Sequence, residues 1–184
     1  MYLEHYAFND YPFRLTPDTD FLYMSSAHSR WLAYMENAIF NRESFVVITG
    51  EIGTGKTTLI KKLLNDLSEN VIVAKIFQTQ LDEVELLQAI LVEIGLIPFI
   101  AKKGELLNMI NQFLIDSYNN DRQMLIIIDD ENNLNKRGLE EITMLSGVET
   151  QKKKKLQVII FGESELNQKW KADNMEKILQ RVRL

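Results

Sequence analysis

The residues of this chain with the clearest capacity for chemistry form a glycine-rich stretch at residues 50–58. Its sequence is Gly50-Glu51-Ile52-Gly53-Thr54-Gly55-Lys56-Thr57-Thr58, which fits the pattern G-x-x-x-x-G-K-[ST] at every fixed position. Glycines allow the backbone to curl so that successive N–H groups point at phosphate oxygens. Lys56 is expected to reach the β- and γ-phosphates of a nucleotide, and the Thr57 hydroxyl to bind Mg²⁺. We therefore predict a binding loop for a nucleoside triphosphate, here called the phosphate loop.

Carboxylates that follow a later apolar run are the second candidate group. The run Met124-Leu125-Ile126-Ile127-Ile128 leads directly into Asp129, Asp130 and Glu131. In nucleotide hydrolysis one carboxylate holds Mg²⁺, and another orients or deprotonates the attacking water. Asp129 suits the first role and Asp130 the second. A buried strand that simply ends in a polar turn is the alternative interpretation of the same residues.

Both groups need strands and helices that bring them to one place. Residues 45–49 predict a buried strand before the phosphate loop, and residues 57–67 predict a helix after it. Further strands are predicted at 71–77, 124–128 and 156–161, with helices at about 82–95, 104–118 and 136–146 between them. Strands that alternate with helices predict an α/β fold with a parallel sheet covered on both faces. Because ligands sit beyond the carboxyl ends of such strands, the phosphate loop and Asp129 are expected to meet.

Local signals fix the ends of several helices and the extent of the domain. A helix capped by Ser25 or Ser26 is expected after an ordered, proline-containing lead-in. Asp82 and Glu85 predict a capping box for a helix that Gly95 closes. A final helix is expected over residues 165–182. The predicted organisation is one domain over residues 1–184, with an N-terminal segment and helix at 1–44 and the α/β core at 45–184.

The composition limits the classes of function. The chain has 184 residues, no cysteine and a net charge of −5. Without cysteine, disulfides, thiolate metal sites and a cysteine nucleophile are excluded. The acidic balance argues against nucleic-acid binding driven by overall charge, so nucleic acid is not an expected partner. Because no apolar run approaches the ~20 residues of a membrane-spanning helix, we expect a soluble, cytoplasmic chain that reaches the inner face of a membrane only through partners.

Beyond these motifs, the chain resembles the AAA+ ATPases of the general secretion pathway protein A type, within the P-loop NTPase superfamily. The resemblance covers nearly the whole chain and rests chiefly on Tyr11-Pro12-Phe13-Arg14-Leu15-Thr16-Pro17-Asp18, the phosphate loop, Leu125-Ile126-Ile127-Ile128-Asp129 and Gln180-Arg181-Val182. It implies a three-layer core with strand order 5-1-4-3-2. The family's fifth strand and helical lid would follow Leu184, and this chain is expected to lack them.

The same resemblance implies an activity. It implies an ATP-binding, Mg²⁺-dependent ATPase that assembles with itself and serves a secretion or cell-envelope system as a motor or assembly factor. The N-terminal segment would help to build the adenine pocket, and Arg181 would reach the γ-phosphate held by a neighbouring copy. A surface arginine at a helix end is the alternative for Arg181. Two other functions stay open, which are a hydrolysis-impaired ATP-binding switch or scaffold and a DNA-targeting transposition-type ATPase.

Two positions depart from the family's pattern where the γ-phosphate would be used. Asp130 stands where the family has glutamate, and its carboxylate is one methylene shorter. Misplacing a reacting group by about 1 Å can cost roughly 10²-fold in rate, so slow hydrolysis is expected. Glu163 stands where a neutral polar sensor of the γ-phosphate is expected. Its carboxylate would repel phosphate if it faced the site, and the alternative is a side chain turned outward.

The remaining candidate residues have ordinary interpretations. Four lysines at 152–155 precede the last predicted strand, so they are expected at the pole opposite the nucleotide, as a solvated loop. An acidic partner or a nucleic-acid backbone is the alternative for these lysines. His5 and His28 have no companions at metal-ligand spacing, and we interpret both as ordinary polar positions. Trp31 and Trp170 are expected to be packing residues.

Overall fold

The computed structural model places the helices and strands of an α/β fold in the predicted order. It describes residues 2–8, 11, 19, 22–77, 80–98, 102–129, 134, 136–147, 156–166 and 170. The helices are α1 (Tyr2–His5), α2 (Ser26–Phe40), α3 (Lys56–Asp66), α4 (Glu83–Glu93), α5 (Lys103–Asn119) and α6 (Lys136–Ser146). The strands are β1 (Phe45–Thr49), β2 (Val71–Ile76), β3 (Gln123–Ile128) and β4 (Leu156–Gly162). Among the described residues, no helix is long and apolar enough to cross a membrane.

The strands form one parallel sheet in the order β1-β4-β3-β2. Strand β4 lies between β1 and β3, with Val47 opposite Ile160 and Val158 opposite Ile126. This is the order expected for strands 1 to 4 of the 5-1-4-3-2 arrangement, and the predicted fold class is confirmed. Because the strands run in the same direction, the residues that follow β1, β3 and β4 emerge along one edge of the sheet.

Alternate residues of each strand point to opposite faces of the sheet and build two hydrophobic layers. On one face, Phe45 and Val47 belong to a layer that includes buried residues of α4, α5 and α6. On the other face, Val46 and Ile48 belong to a layer with α2 and α3. Each large apolar side chain that is fully buried stabilises the folded state by about 1.5–3 kcal/mol relative to its exposure to water. The sheet is therefore packed on both faces and gives firm support to the loops at the carboxyl ends of its strands.

Capping residues set the ends of α4 as the sequence predicts. The Asp82 carboxylate accepts from the N–H groups of Val84 and Glu85, both at 2.8 Å, and the Glu85 carboxylate accepts from the Asp82 N–H at 2.9 Å. This reciprocal pair is the predicted capping box. Gly95 follows the C-cap with a φ of +82°, a conformation that suits glycine. The local pattern was sufficient here because all the partners are close in sequence.

Some helices differ from the prediction in their presence or in their ends. Helix α1 lies in the segment predicted only as an ordered lead-in. Helix α3 spans Lys56–Asp66 rather than residues 57–67, because the N-cap position is already occupied by Gly55 with a φ of +86°. Of the predicted final helix, Leu166 and Trp170 are helical and buried, and most of its other residues lie outside the described part of the chain.

A buried glutamine joins the sheet to the C-terminal end of α2. Gln157 of β4 is 2% exposed. Its Nε2 donates to the carbonyl of Ala38 at 3.0 Å and to those of Ile39 and Glu43 at 3.3 Å. Carbonyls at the end of a helix have no partner further along the helix, and the buried amide supplies donors to them. Gln157 therefore fixes the end of α2 to a central strand of the sheet.

Candidate functional site

The phosphate loop connects β1 to α3, and its shape depends on glycine. Gly53 and Gly55 have φ angles of +79° and +86°, which residues with a Cβ rarely adopt. Gly50 has little space for a side chain, because a Cβ there would lie 3.2 Å from both Oγ1 of Thr54 and Cη2 of Trp31. The Gly50 N–H donates to the carbonyl of Gly162 at 3.1 Å, which holds the start of the loop against the end of β4. The glycines therefore let the loop turn tightly at the edge of the sheet.

Lys56 opens α3, and its amine lies against the carbonyls of the loop. Its Nζ donates to the carbonyl of Gly50 at 2.7 Å and to that of Glu51 at 2.9 Å. The Thr54 hydroxyl also donates to the Glu51 carbonyl, at 2.8 Å. Hydrogen bonds between an ammonium group and phosphate are stronger than those to a neutral carbonyl. The amine can therefore exchange these carbonyls for phosphate oxygens, which is compatible with its predicted role.

Thr57 and Asp129 form the second feature of the site. They are separated by 72 positions in the sequence, and the Thr57 hydroxyl donates to Oδ2 of Asp129 at 2.9 Å. Thr57 lies in the first turn of α3, and Asp129 directly follows β3. Hydroxyl and carboxylate oxygens are the hard ligands that Mg²⁺ prefers. The two side chains together fit a magnesium ion, the ion that the sequence predicts for them.

A pocket opens between the phosphate loop and the ends of β3 and β4. Its volume is about 490 Å³, within the range of sites for small-molecule ligands. Lys56, Thr57 and Asp129 line it, together with Gly162 and Glu163 from the end of β4. The structure thus brings the residues predicted to bind phosphate and magnesium around a single space.

The turn after β4 brings an acidic residue to this pocket. Glu163 lies on the pocket wall, which favours the interpretation in which it is near a bound nucleotide. The neighbouring Ser164 hydroxyl donates to Oε1 of Glu51 at 3.2 Å. Both partners of this bond are exposed. The bond links the turn after β4 to the phosphate loop.

Two predicted catalytic residues, Asp130 and Arg181, lie outside the described residues. Glu131, the lysines at 152–155 and the proline-containing stretch at 12–18 also lie outside them. Within the described ranges, no group of three or more histidine, aspartate or glutamate side chains could hold a metal ion.

His28 of α2 makes a contact with the loop that was missed at the level of sequence. Its Nε2 lies 2.8 Å from the carbonyl oxygen of Thr54. Its ring also meets Trp31 edge-on, with the ring centroids 5.9 Å apart. No sequence motif signals this contact, because the partner is a backbone carbonyl 26 positions away. The interpretation of His28 as an ordinary polar position was therefore incomplete.

Comparison with known families matches residues 40–169 to the AAA domain family. A curated relative is the General secretion pathway protein A of Aeromonas hydrophila, which is 32% identical over 184 residues. The match covers 99% of this chain and 34% of the relative. The chain therefore spans about a third of the length of that relative.

Solved structures with a similar fold include two archaeal proteins. The ORC2 protein of Aeropyrum pernix, solved as ADPNP–ADP complexes, gives a TM-score of 0.64 at 14% identity, covering 88% of this chain and 47% of its own. Cdc6p from Pyrobaculum aerophilum gives a TM-score of 0.56 at 18% identity, covering 79% of this chain and 41% of its own. At these identities, the likeness supports the fold alone.

Proposed function

The chain belongs to the AAA domain family, and from that premise we propose that it binds ATP with Mg²⁺ and hydrolyses it. The observation that carries the proposal is the arrangement of Lys56, Thr57 and Asp129 around one pocket at the carboxyl edge of the sheet. A cation for the β- and γ-phosphates and two oxygen ligands for a metal are the groups that phosphoryl transfer needs. The glycines of the loop add backbone donors for the phosphates.

Each residue of the site has a role in this proposal. Lys56 leaves the carbonyls of Gly50 and Glu51 and binds phosphate oxygens, so that its charge offsets theirs. Thr57 and Asp129 hold Mg²⁺, which when bound draws negative charge from the phosphate oxygens. Asp130 orients the attacking water. Arg181 acts on the nucleotide of a neighbouring copy, so the complete site requires self-assembly.

The proposed biological role follows from the curated relative. The 32% identity to General secretion pathway protein A supports a role in a secretion system. We propose that the chain acts there, or in a cell-envelope system, as a self-assembling motor or assembly factor. Its protein partner would belong to such a complex. The proposed ATPase unit is the single domain over residues 1–184, in which the α/β core at 45–184 carries the catalytic groups.

Steady-state release of inorganic phosphate tests the proposal. Wild-type protein with ATP and Mg²⁺ is expected to release phosphate. Lys56→Ala is expected to lower the rate on the order of 100-fold or more, because the variant loses the positive charge that stabilises the γ-phosphate. Equal rates for the two proteins would refute hydrolysis at this site. Thermal melting of Lys56→Ala without nucleotide controls for folding.

A hydrolysis-impaired ATP-binding switch is the second candidate, and the position of Glu163 favours it. Glu163 lines the same pocket, where a carboxylate turned towards the ligand would oppose the charge of a γ-phosphate. Asp130→Glu separates the candidates. On the switch hypothesis, wild type binds MgATP with little turnover, and the longer side chain raises turnover. Fast wild-type turnover with no gain in the variant would exclude the switch.

A further inference from the structure

The ring of His28 is held from two sides at the start of α2. Ser25 caps this helix and accepts from the His28 backbone N–H at 3.2 Å. The Ser25 hydroxyl lies 3.1 Å from Nδ1 of the His28 ring, and the carbonyl of Tyr23 lies 3.3 Å from the same atom. On the other side, Nε2 lies 2.8 Å from the carbonyl of Thr54 in the phosphate loop. The ring therefore connects the helix cap to the loop.

The chemistry of these partners fixes where the ring proton lies. The Thr54 carbonyl only accepts, so a hydrogen bond at 2.8 Å requires the proton on Nε2. With the proton on Nε2, Nδ1 can accept from the Ser25 hydroxyl. The ring therefore donates to the phosphate loop through Nε2.

The bond to Thr54 also orients the next N–H of the loop. A trans peptide is planar, so the carbonyl of Thr54 and the N–H of Gly55 point in opposite directions. The carbonyl points at His28, and Gly55 lines the pocket. The Gly55 N–H is consequently turned away from His28, on a residue that lines the pocket. Gly55, with its positive φ, offers little steric resistance to rotation of this peptide.

Trp31, one turn along α2, supports the same arrangement. Its ring packs edge-on against the His28 ring at an interplanar angle of 78°. Its Cη2 also lies where a Cβ on Gly50 would approach within 3.2 Å. A Cβ on Gly55 would meet Nε2 of His28 at 3.5 Å. Two glycines of the loop therefore face two rings of α2, which form a wall behind the loop.

We propose that His28 is a positioning residue that holds the Thr54–Gly55 peptide so that its N–H faces a polyphosphate ligand. The inference rests on the proposed ATP site, since it assigns His28 to the preparation of that site. Without the bond, the peptide can rotate and present a carbonyl to the phosphates, which repels them. His28 touches neither the nucleotide nor the reacting atoms in this role.

Three substitutions of His28 test the positioning role, because they differ in which ring nitrogen the new side chain can replace. The side-chain nitrogen of glutamine can take the place of Nε2, whereas the shorter asparagine reaches only the place of Nδ1. For MgATP binding measured by calorimetry, His28→Ala and His28→Asn are each expected to weaken affinity about tenfold, the size expected when one hydrogen bond is lost. His28→Gln is expected to stay within about threefold of wild type, because it keeps the donor to Thr54.

Two further measurements distinguish a role of His28 in positioning the Thr54–Gly55 peptide from a role in stabilising the folded protein. The melting temperature without nucleotide should be similar for the Gln and Asn variants, so that only binding distinguishes them. The ¹⁵N–¹H signal of Gly55 should shift on addition of MgATP in wild type and His28→Gln, and much less in His28→Asn. Equal affinities for all three variants and wild type, with weaker MgATP binding in Lys56→Ala, would overturn the role of His28. Wild type that binds no better than Lys56→Ala would overturn the ATP site, and the role with it.

Discussion

The two sides of the pocket are built differently. The loop side, formed by the phosphate loop and the starts of α2 and α3, is held by backbone carbonyls that accept from Lys56, Thr54 and His28. The acidic side, at the ends of β3 and β4, is lined by the acidic residues Asp129 and Glu163. The structure gives Asp129 a donor in the Thr57 hydroxyl. On the proposed function, the loop side supplies donors to phosphate once Lys56 leaves the carbonyls of Gly50 and Glu51, and the acidic side needs a cation to be compatible with phosphate.

This difference separates the binding of a nucleotide from its use. Backbone donors and an ammonium group attract phosphate without further help. Two carboxylates near the same ligand repel it unless a divalent ion or a proton offsets their charge. Binding should therefore depend mostly on the loop side, whereas magnesium dependence and turnover should depend on the acidic side.

Removing the charge of Asp129 should have the largest effect on the acidic side. Asp129→Asn keeps an acceptor for Thr57 but loses the negative charge that attracts Mg²⁺. We expect the magnesium affinity of the nucleotide complex to fall at least about 10- to 100-fold, with a comparable loss of turnover. A magnesium titration of phosphate release measures both quantities.

ATP affinity in EDTA is the matched control for Asp129→Asn. It should be unchanged or slightly improved, because the loop side is intact and one repulsive charge has been removed. An unchanged magnesium requirement in the variant would show that the two sides of the pocket do not divide the work in this way.

Glu163→Gln should have a smaller effect with the opposite sign. The substitution keeps the size of the side chain and removes a charge from the pocket wall. Relief of about 1 kcal/mol of repulsion corresponds to roughly fivefold tighter binding of MgATP. Calorimetry at low and high salt would check this, since the gain should shrink as salt screens the charge. Equal affinity at both salt concentrations would mean that the carboxylate does not face the nucleotide.

Breaking the bond between Ser164 and Glu51 should have the smallest effect. Ser164→Ala removes the donor to Glu51, and both partners are exposed. Exposed substitutions usually change free energies by no more than about 0.5 kcal/mol, so less than about a threefold change in MgATP affinity is expected. Glu51→Gln is the companion variant, because it keeps the acceptor and loses the charge. A tenfold loss in Ser164→Ala would make this bond a structural part of the loop side.

The elements of the fold that could be predicted are those whose signals are local. Strands β1, β3 and β4 are near-continuous apolar runs because both faces of the sheet are covered. The capping box of α4 uses residues three positions apart. Helix α1, in contrast, has four residues, none of them buried, and such a short helix leaves no periodic pattern to detect.

In the site, the motif residues could be predicted and their supports could not. The phosphate loop is one continuous pattern, and Asp129 was found because it ends an apolar strand. His28 and Gln157 are single polar residues whose partners are backbone carbonyls 26 and more than 100 positions away. Contacts to backbone place no requirement on the partner's side chain, so no pattern of residue types marks them.

Helix α2 is fastened at both of its ends. At the C-terminal end of the helix, Gln157 of β4 donates to the carbonyl of Ala38. At the N-terminal end, His28 contacts the carbonyl of Thr54 in the phosphate loop. With 15 residues, the helix is about 22 Å long. The phosphate loop is therefore joined to the sheet twice, through the chain that continues from β1 and through the side-chain contacts at the two ends of α2.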